Sequence, residues 1–206
     1  TTAPDGTTTA EKVLATAGNA RHAVYQSGVT ASGTCVASIY VKYDNHAFFQ
    51  IGGSSGGFYA NFNVQTGVVG TSGGARYLSH AITSVGSGWY RLSVAYTNSG
   101  DSLWFQQVSS ASDGLLPFWT AAGTESTFIW GAQVDNASSI GTYQRIAAAT
   151  DYATAGFLPY LYFVTDDSFG TNSIDFTATD KMAVVAGITK LGTAPSIFAE
   201  LSALSA

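Results

Sequence analysis

Phe58-Tyr59-Ala60-Asn61-Phe62-Asn63-Val64-Gln65 alternates apolar and polar side chains without a break. A period of two places successive side chains on opposite faces of an extended chain, so this stretch reads as a strand with one face on a core and one outward. The same period recurs to either side. Cys35, Ala37, Ile39 and Val41 alternate with Thr34, Ser38, Tyr40 and Lys42. Tyr90, Leu92, Val94 and Tyr96 alternate with Trp89, Arg91, Ser93 and Ala95, and Phe128, Trp130, Ala132 and Val134 with Ile129, Gly131, Gln133 and Asp135. Arg76 to Thr83 and Leu103 to Val108 read as further strands. The expected core contains Phe62, Val64, Leu92, Val94, Phe128 and Trp130.

Between these runs lie Gly52-Gly53-Ser54-Ser55-Gly56-Gly57, Thr66-Gly67, Ser72-Gly73-Gly74, Gly86-Ser87-Gly88 and Asn98-Ser99-Gly100-Asp101. Gly and Asn supply the positive φ of tight hairpins. Short strands so punctuated indicate an antiparallel sandwich or barrel. No segment carries a 3.6-residue apolar stripe. Asp135 to Ala155 is less regular, and Ala147-Ala148-Ala149 reads as a short helical turn or a last strand.

Composition narrows the function classes. Of 206 residues, 10% are charged and 46% hydrophobic, so the chain can bury a core while covering its surface with Ser, Thr, Gly, Asn and Gln. The formal charge is -5 with only eight Lys and Arg, scattered along the chain, which argues against a nucleic-acid partner. No apolar run approaches the roughly 20 residues of a membrane span, so no membrane insertion is expected. The start, Thr1-Thr2-Ala3-Pro4-Asp5-Gly6, lacks a basic region and an apolar stretch, so it does not read as a signal peptide. The single cysteine, Cys35, precludes an intrachain disulfide and reads as a small core residue.

The pattern changes near Thr154-Ala155-Gly156. Residues 1–156 read as one sandwich and 157–206 as a partial second β domain or an assembly extension. Leu158, Tyr160, Leu161, Tyr162, Phe163 and Val164 are nearly contiguous, and a strand apolar on both faces needs cover on both. A partner surface is therefore expected for this tail.

Catalytic signatures are weak. Gly52-Gly53-Ser54-Ser55-Gly56 matches the G-x-S-x-G nucleophile pattern, but that motif needs a following helix and here a strand follows. Only three Glu occur, Glu11, Glu125 and Glu200, and no strand carries Glu and Asp at i, i+2, the spacing that would aim two carboxylates at one sugar. Asp166 and Asp167 are adjacent and would point apart. His22, His46 and His80 have no ligand-type partner at i+2 or i+4 and read as ordinary strand residues. The chain is therefore not expected to be an enzyme, and no cofactor is expected. Calcium is not indicated, although Asp44, Asn45, Asp101 and Asp113 offer the loop oxygens it takes.

Aromatic rings are the remaining candidate chemistry, because pyranose C–H faces stack on exposed rings while amides bond the hydroxyls. Tyr59, Asn61 and Asn63 share the polar face of one strand, and Trp119 sits in loop-like Leu116-Pro117-Phe118-Trp119. These four are the carbohydrate-binding candidates. A solvated or subunit-covered face is the competing reading.

Five phrases, taken in order, carry a resemblance. They are Ala3-Pro4-Asp5-Gly6-Thr7-Thr8-Thr9-Ala10-Glu11-Lys12, Ser38-Ile39-Tyr40-Val41-Lys42, Asn61-Phe62-Asn63-Val64-Gln65-Thr66-Gly67, Gly88-Trp89-Tyr90-Arg91-Leu92-Ser93-Val94 and Phe128-Ile129-Trp130-Gly131-Ala132-Gln133-Val134-Asp135. Over roughly residues 1–155 the set resembles the concanavalin-like jelly-roll domains of bacteriophage tail fibres and other virion proteins. The resemblance implies two packed antiparallel sheets, carbohydrate-binding by analogy, on a virion surface, and no catalytic residues. Such domains usually carry a further Trp-containing strand before the Ala-Pro-Asp-Gly-Thr phrase, and Ile174 to Ser202 looks like the opening of a second domain. The chain is thus expected to be part of a longer protein. The expected function is a non-catalytic adhesion or structural part of a phage particle, binding host surface glycans, with other virion subunits as partners and a homotrimer as the assembly. A capsid decoration or head-fibre protein without a ligand, or a secreted bacterial polysaccharide-binding module, is the alternative.

Overall fold

The computed structural model describes residues 1–144 except 30, 32, 55, 56 and 101. These residues belong to the first of two units, Thr1–Phe157. The expected second β region at 157–206, the Asp166-Asp167 pair and Ala147-Ala148-Ala149 lie outside the described residues.

The described chain is all-β and antiparallel. Its strands are β1 (Glu11–Leu14), β2 (Gly18–Ala20), β3 (His22–Gln26), β4 (Gly33–Tyr43), β5 (Phe48–Gly53), β6 (Tyr59–Asn63), β7 (Val68–Gly73), β8 (Tyr77–Gly86), β9 (Trp89–Asn98), β10 (Leu103–Gln107), β11 (Trp119–Ala121) and β12 (Ser126–Asp135). Two five-stranded sheets form, ordered β1-β12-β4-β9-β8 and β3-β10-β5-β6-β7, with a small β11-β2 ribbon beside them. The two-sheet sandwich expected from the alternation is what the chain adopts.

One face of each sheet is apolar, and these faces meet. Cys35, Ala37, Ile39, Val41, Leu92, Val94 and Tyr96 come from the first sheet. Phe49, Ile51, Ala60, Phe62, Leu103 and Phe105 come from the second. Cys35 is fully buried, and burial pushes its thiol pKa up, as expected of a small core residue. Gln107 also points inward from β10. Its amide nitrogen reaches Thr127 Oγ1 at 3.2 Å, tying the second sheet to β12.

Strand β12 departs from the expected register. Phe128, Trp130, Ala132 and Val134 do not share one face. Ile129 lies opposite Val41 and Trp130 opposite Tyr40, but Gln133 lies opposite Ser38, so β12 carries one residue more than β4 across this span. Gly131, at φ +61°, sits inside this β-bulge. The extra residue exchanges the faces: Ile129 before it and Val134 after it pack on the core. Phe128 and Trp130 therefore turn outward. Trp130 forms a half-buried aromatic group with Tyr40 and Tyr143, at centroid distances of 5.2 and 4.4 Å. Trp89, read from alternation as a polar-side residue, is also different. It is 1% exposed beneath the N-terminal segment, and its indole N–H donates to Thr2 O at 3.0 Å.

These placements predict an asymmetry in urea unfolding. Phe62→Ala should cost about 3–5 kcal/mol, because Phe62 is fully buried between the sheets. Trp130→Ala should cost less, roughly 1–2 kcal/mol, because only part of its surface is covered. Equal losses at the two positions would contradict the outward turn of Trp130.

Candidate functional site

The outer face of the second sheet carries the candidate chemistry. Phe105 points into the core, so Trp104 and Gln106 point outward from β10. Cross-strand register aligns Tyr25, Trp104, Gly52, Tyr59 and Gly73 in one row across β3, β10, β5, β6 and β7. The neighbouring row contains Gln106, Gln50 and Asn61.

The second row is closed. Segment 109–118 crosses it as a strap, and its backbone supplies partners to the buried amides of Gln50 and Asn61. Gln50 Nε2 donates to Asn61 Oδ1 at 2.7 Å and to Gly114 O at 2.8 Å, while Gln50 Oε1 accepts from Leu116 N at 2.7 Å. Asn61 Nδ2 donates to Thr71 Oγ1 at 2.9 Å and to Asp113 O at 2.6 Å. Asp113 shapes the strap by accepting from Ser109 Oγ and Ser110 N. At Gly52 a β-carbon would lie 3.2 Å from Leu115 Cδ1, so this glycine lets the strap seat closely.

This arrangement redistributes the expected carbohydrate candidates. Asn61 is fully buried and bonded to the strap, so it is a structural amide and not a sugar contact. Asn63 Oδ1 accepts from Gln65 N and Thr66 N and shapes the β6–β7 turn. Trp119 is half-buried in β11. Its indole N–H donates to Gln107 O at 2.9 Å, its ring stacks on His46 at 5.1 Å, and His22 meets its edge at 4.8 Å. Tyr59 alone of the four stays on the partly open row.

The open end of that row lies at β3 and β10. Tyr25 is 61% exposed and stacks on Trp104 with centroids 4.6 Å apart and planes 12° apart. Phe118, 60% exposed, projects from the end of the strap. Arg21 joins the rings: its guanidinium lies 4.4 Å from the Phe118 centroid and 5.9 Å from that of Trp104. Arg21 Nε donates to Leu116 O at 2.8 Å, which fixes the group in place. Arg21 forms no ion pair among the described residues. Beneath this shelf, Trp104 Nε1 and both amide atoms of Gln106 are buried without a hydrogen-bond partner among the described residues.

The remaining candidate groups have structural partners. Ser54 N donates to Ser102 O, and Ser54 Oγ accepts from Ser102 N at 3.1 Å; β5 leads into β6, not into a helix. Asp44 pairs with Lys12 at 2.7 Å and accepts from Ser126 Oγ, and these bonds lower its pKa. Asn45 Oδ1 accepts from Ser126 N at 2.6 Å. Among the described residues no group of three His, Cys, Asp or Glu side chains comes together, and Asp101 lies outside them.

Glu125 is the most perturbed carboxylate among the described residues. It accepts from the backbone N–H of Ala122, Gly123 and Thr124, which lowers its pKa to about 2 from an ordinary 4.5. A lowered folded-state pKa means that this contribution to stability is present above about pH 4.5 and fades as pH falls toward 2. Acid unfolding should therefore show a shallower stability loss in that window for Glu125→Gln than for the parent chain. A second outcome concerns Asn61→Ala, which should cost about 1–3 kcal/mol in urea unfolding because it strips partners from Gln50 and the strap.

No protein-family model matches the chain and no curated protein matches it significantly, so the shelf of Tyr25, Trp104, Arg21 and Phe118 stands on its own geometry.

Proposed function

We propose that this chain is a non-catalytic, glycan-binding β-sandwich of a bacteriophage virion, a tail fibre or similar appendage, acting in host adhesion. The observation that carries the binding reading is the Tyr25–Trp104 stack with Phe118 and Arg21 beside it. Tyr25 and Phe118, 61% and 60% exposed, cluster around Trp104 and Arg21, and a clustered exposed apolar patch, unlike a single exposed ring, is the kind of surface that marks an interaction site. Two rings separated by a fixed cation give a sugar both an apolar platform and a charge. Pyranose C–H faces would lie on Tyr25 and Phe118. The guanidinium would take a carboxylate, so uronate- or sialate-type residues fit better than neutral hexoses. Placement at the virion surface, with other virion subunits as partners, rests on the five-phrase resemblance.

The experiment is a glycan array probed with soluble protein, with neutral and carboxylated bacterial polysaccharides side by side. Carboxylated glycans should be retained. Tyr25→Ala and Phe118→Ala should each weaken retention about tenfold, equivalent to about 1.4 kcal/mol. Arg21→Gln should abolish the preference for acidic sugars, whereas Asn63→Ala should leave binding unchanged. No reducing sugar should be released from any polysaccharide. Binding unaffected by Tyr25→Ala and Phe118→Ala would remove the shelf from the mechanism. Retention of no glycan at all would favour the purely structural capsid or head-fibre role.

A further inference from the structure

The two sheets leave four edges, at β1, β8, β3 and β7. An edge strand presents unpaired backbone N–H and C=O groups, and proteins blunt such edges with charge, short length or cover. Three of the four are blunted. β1 has four residues and carries Glu11 and Lys12, the latter tied to Asp44. β3 has only five residues. β7 is capped by the strap, because Thr71 N donates to Ala111 O at 2.8 Å.

β8 is different. It has ten residues, Tyr77-Leu78-Ser79-His80-Ala81-Ile82-Thr83-Ser84-Val85-Gly86, with no Lys, Arg, Asp, Glu or Pro. Its pairing with β9 is unbroken from Ser79 opposite Ala95 to Ser84 opposite Tyr90, with irregularities only beyond those points. Six regular residues therefore present an uncharged edge that has no partner strand among the described residues. His80 is engaged internally, with Nδ1 2.6 Å from Tyr77 Oη. Leu78 and Val85 flank the regular run, 51% and 43% exposed. On the neighbouring β7, Val68 and Val69 add further open apolar surface, 56% and 44% exposed.

We propose that β8 is the joint between two copies of this chain, paired antiparallel edge to edge about a twofold axis. The β1-β12-β4-β9-β8 sheets of the two copies then become one continuous sheet of ten strands. An antiparallel edge is complementary to itself, because rotation by 180° sets each outward N–H against an outward C=O. The lack of charge selects this occupant. A second β8 meets no like charge, whereas a charged peptide strand would find no counter-charge on β8 to reward it. Leu78, Val85 and the β7 valines lie beside the joint and lose water with it. The pairing is twofold, in place of the threefold assembly that the family resemblance implies, and it is independent of glycan binding.

The test is the mass of the full chain in solution, by sedimentation at micromolar concentration, joined to amide hydrogen exchange. The parent chain should sediment at twice its 21.4 kDa mass, with the amides of residues 79–84 protected. Ala81 and Thr83 are exposed, so Ala81→Lys with Thr83→Lys should leave the sandwich folded by circular dichroism while placing like charges across the joint. This variant should sediment as a monomer and lose the protection at 79–84. The control, Ala137→Lys with Ser139→Lys in the turn after β12, adds the same charge elsewhere and should stay dimeric. A monomeric or trimeric parent overturns the proposal, as does a lysine variant that remains dimeric. If the lysine variant fails to fold, the parent's mass and exchange pattern decide alone: a monomer with 79–84 protected would mean that something other than a second copy covers β8.

Discussion

The hydrogen bond from Gln50 to Asn61, 2.7 Å long and fully buried, governs what the outer face of the second sheet can offer. Two amides on neighbouring strands cannot satisfy all their donors and acceptors by pairing with each other. The surplus is met by Gly114 O, Leu116 N and Asp113 O, which fixes segment 109–118 across the sheet. Once seated, that segment closes the row at Gln50 and Asn61 and delivers Phe118 to its far side. Its Leu116 carbonyl then holds Arg21 against Phe118. A buried polar pair thus decides where the exposed aromatic chemistry lies.

This explains why the sandwich was legible in the sequence while the site was not. Alternation reports which side of a strand faces the inter-sheet core, and at Phe62, Val64, Leu92 and Val94 it does so correctly. The polar side of the same strands carries no such information. Asn61 is as polar as a solvated residue, yet a strap tens of residues away in sequence buries it. Trp119 differs from its loop-like sequence for a related reason: it lies beside His46 and His22, where its N–H is bonded, one ring face is stacked and an edge contact is made. The signal that could have located the shelf was the i, i+2 placement of Trp104 and Gln106 around core-facing Phe105. Strands β1 to β3 lack clean alternation because they are short and lie at sheet edges or in the small ribbon, with most of their residues exposed.

The bulge in β12 is the second place where period-two reasoning breaks. Gly131 is the one visible marker, since a glycine within an otherwise regular strand suggests a bulge. Its φ of +61° is disfavoured for other residues, and a β-carbon there would lie 3.0 Å from Tyr143 and 3.2 Å from Tyr40. The same glycine therefore serves the backbone shift and the close approach of two rings. The cost of the bulge is a local loss of pairing. The compensation is that Ile129 and Val134 both reach the core although they are an odd number of residues apart.

Sheet order relates the two proposals. β3 and β7 lie at opposite edges of their sheet, and β7 runs beside β8. The shelf at β3 and β10 is thus on the side of the sandwich away from the β8 edge. Two copies joined at β8 would carry their shelves at the outer ends of the pair, both free to reach a surface. Single stacking sites for sugars are weak because they bury little area, and a repetitive glycan coat rewards two such sites held on one rigid body. Linkage of this kind raises apparent affinity by about 10²–10⁴ when the geometry allows both sites to engage. A chain with so few charges has little long-range attraction to offer a host surface. Bivalent contact would supply retention by another route, with the cation at Arg21 left to choose among sugars.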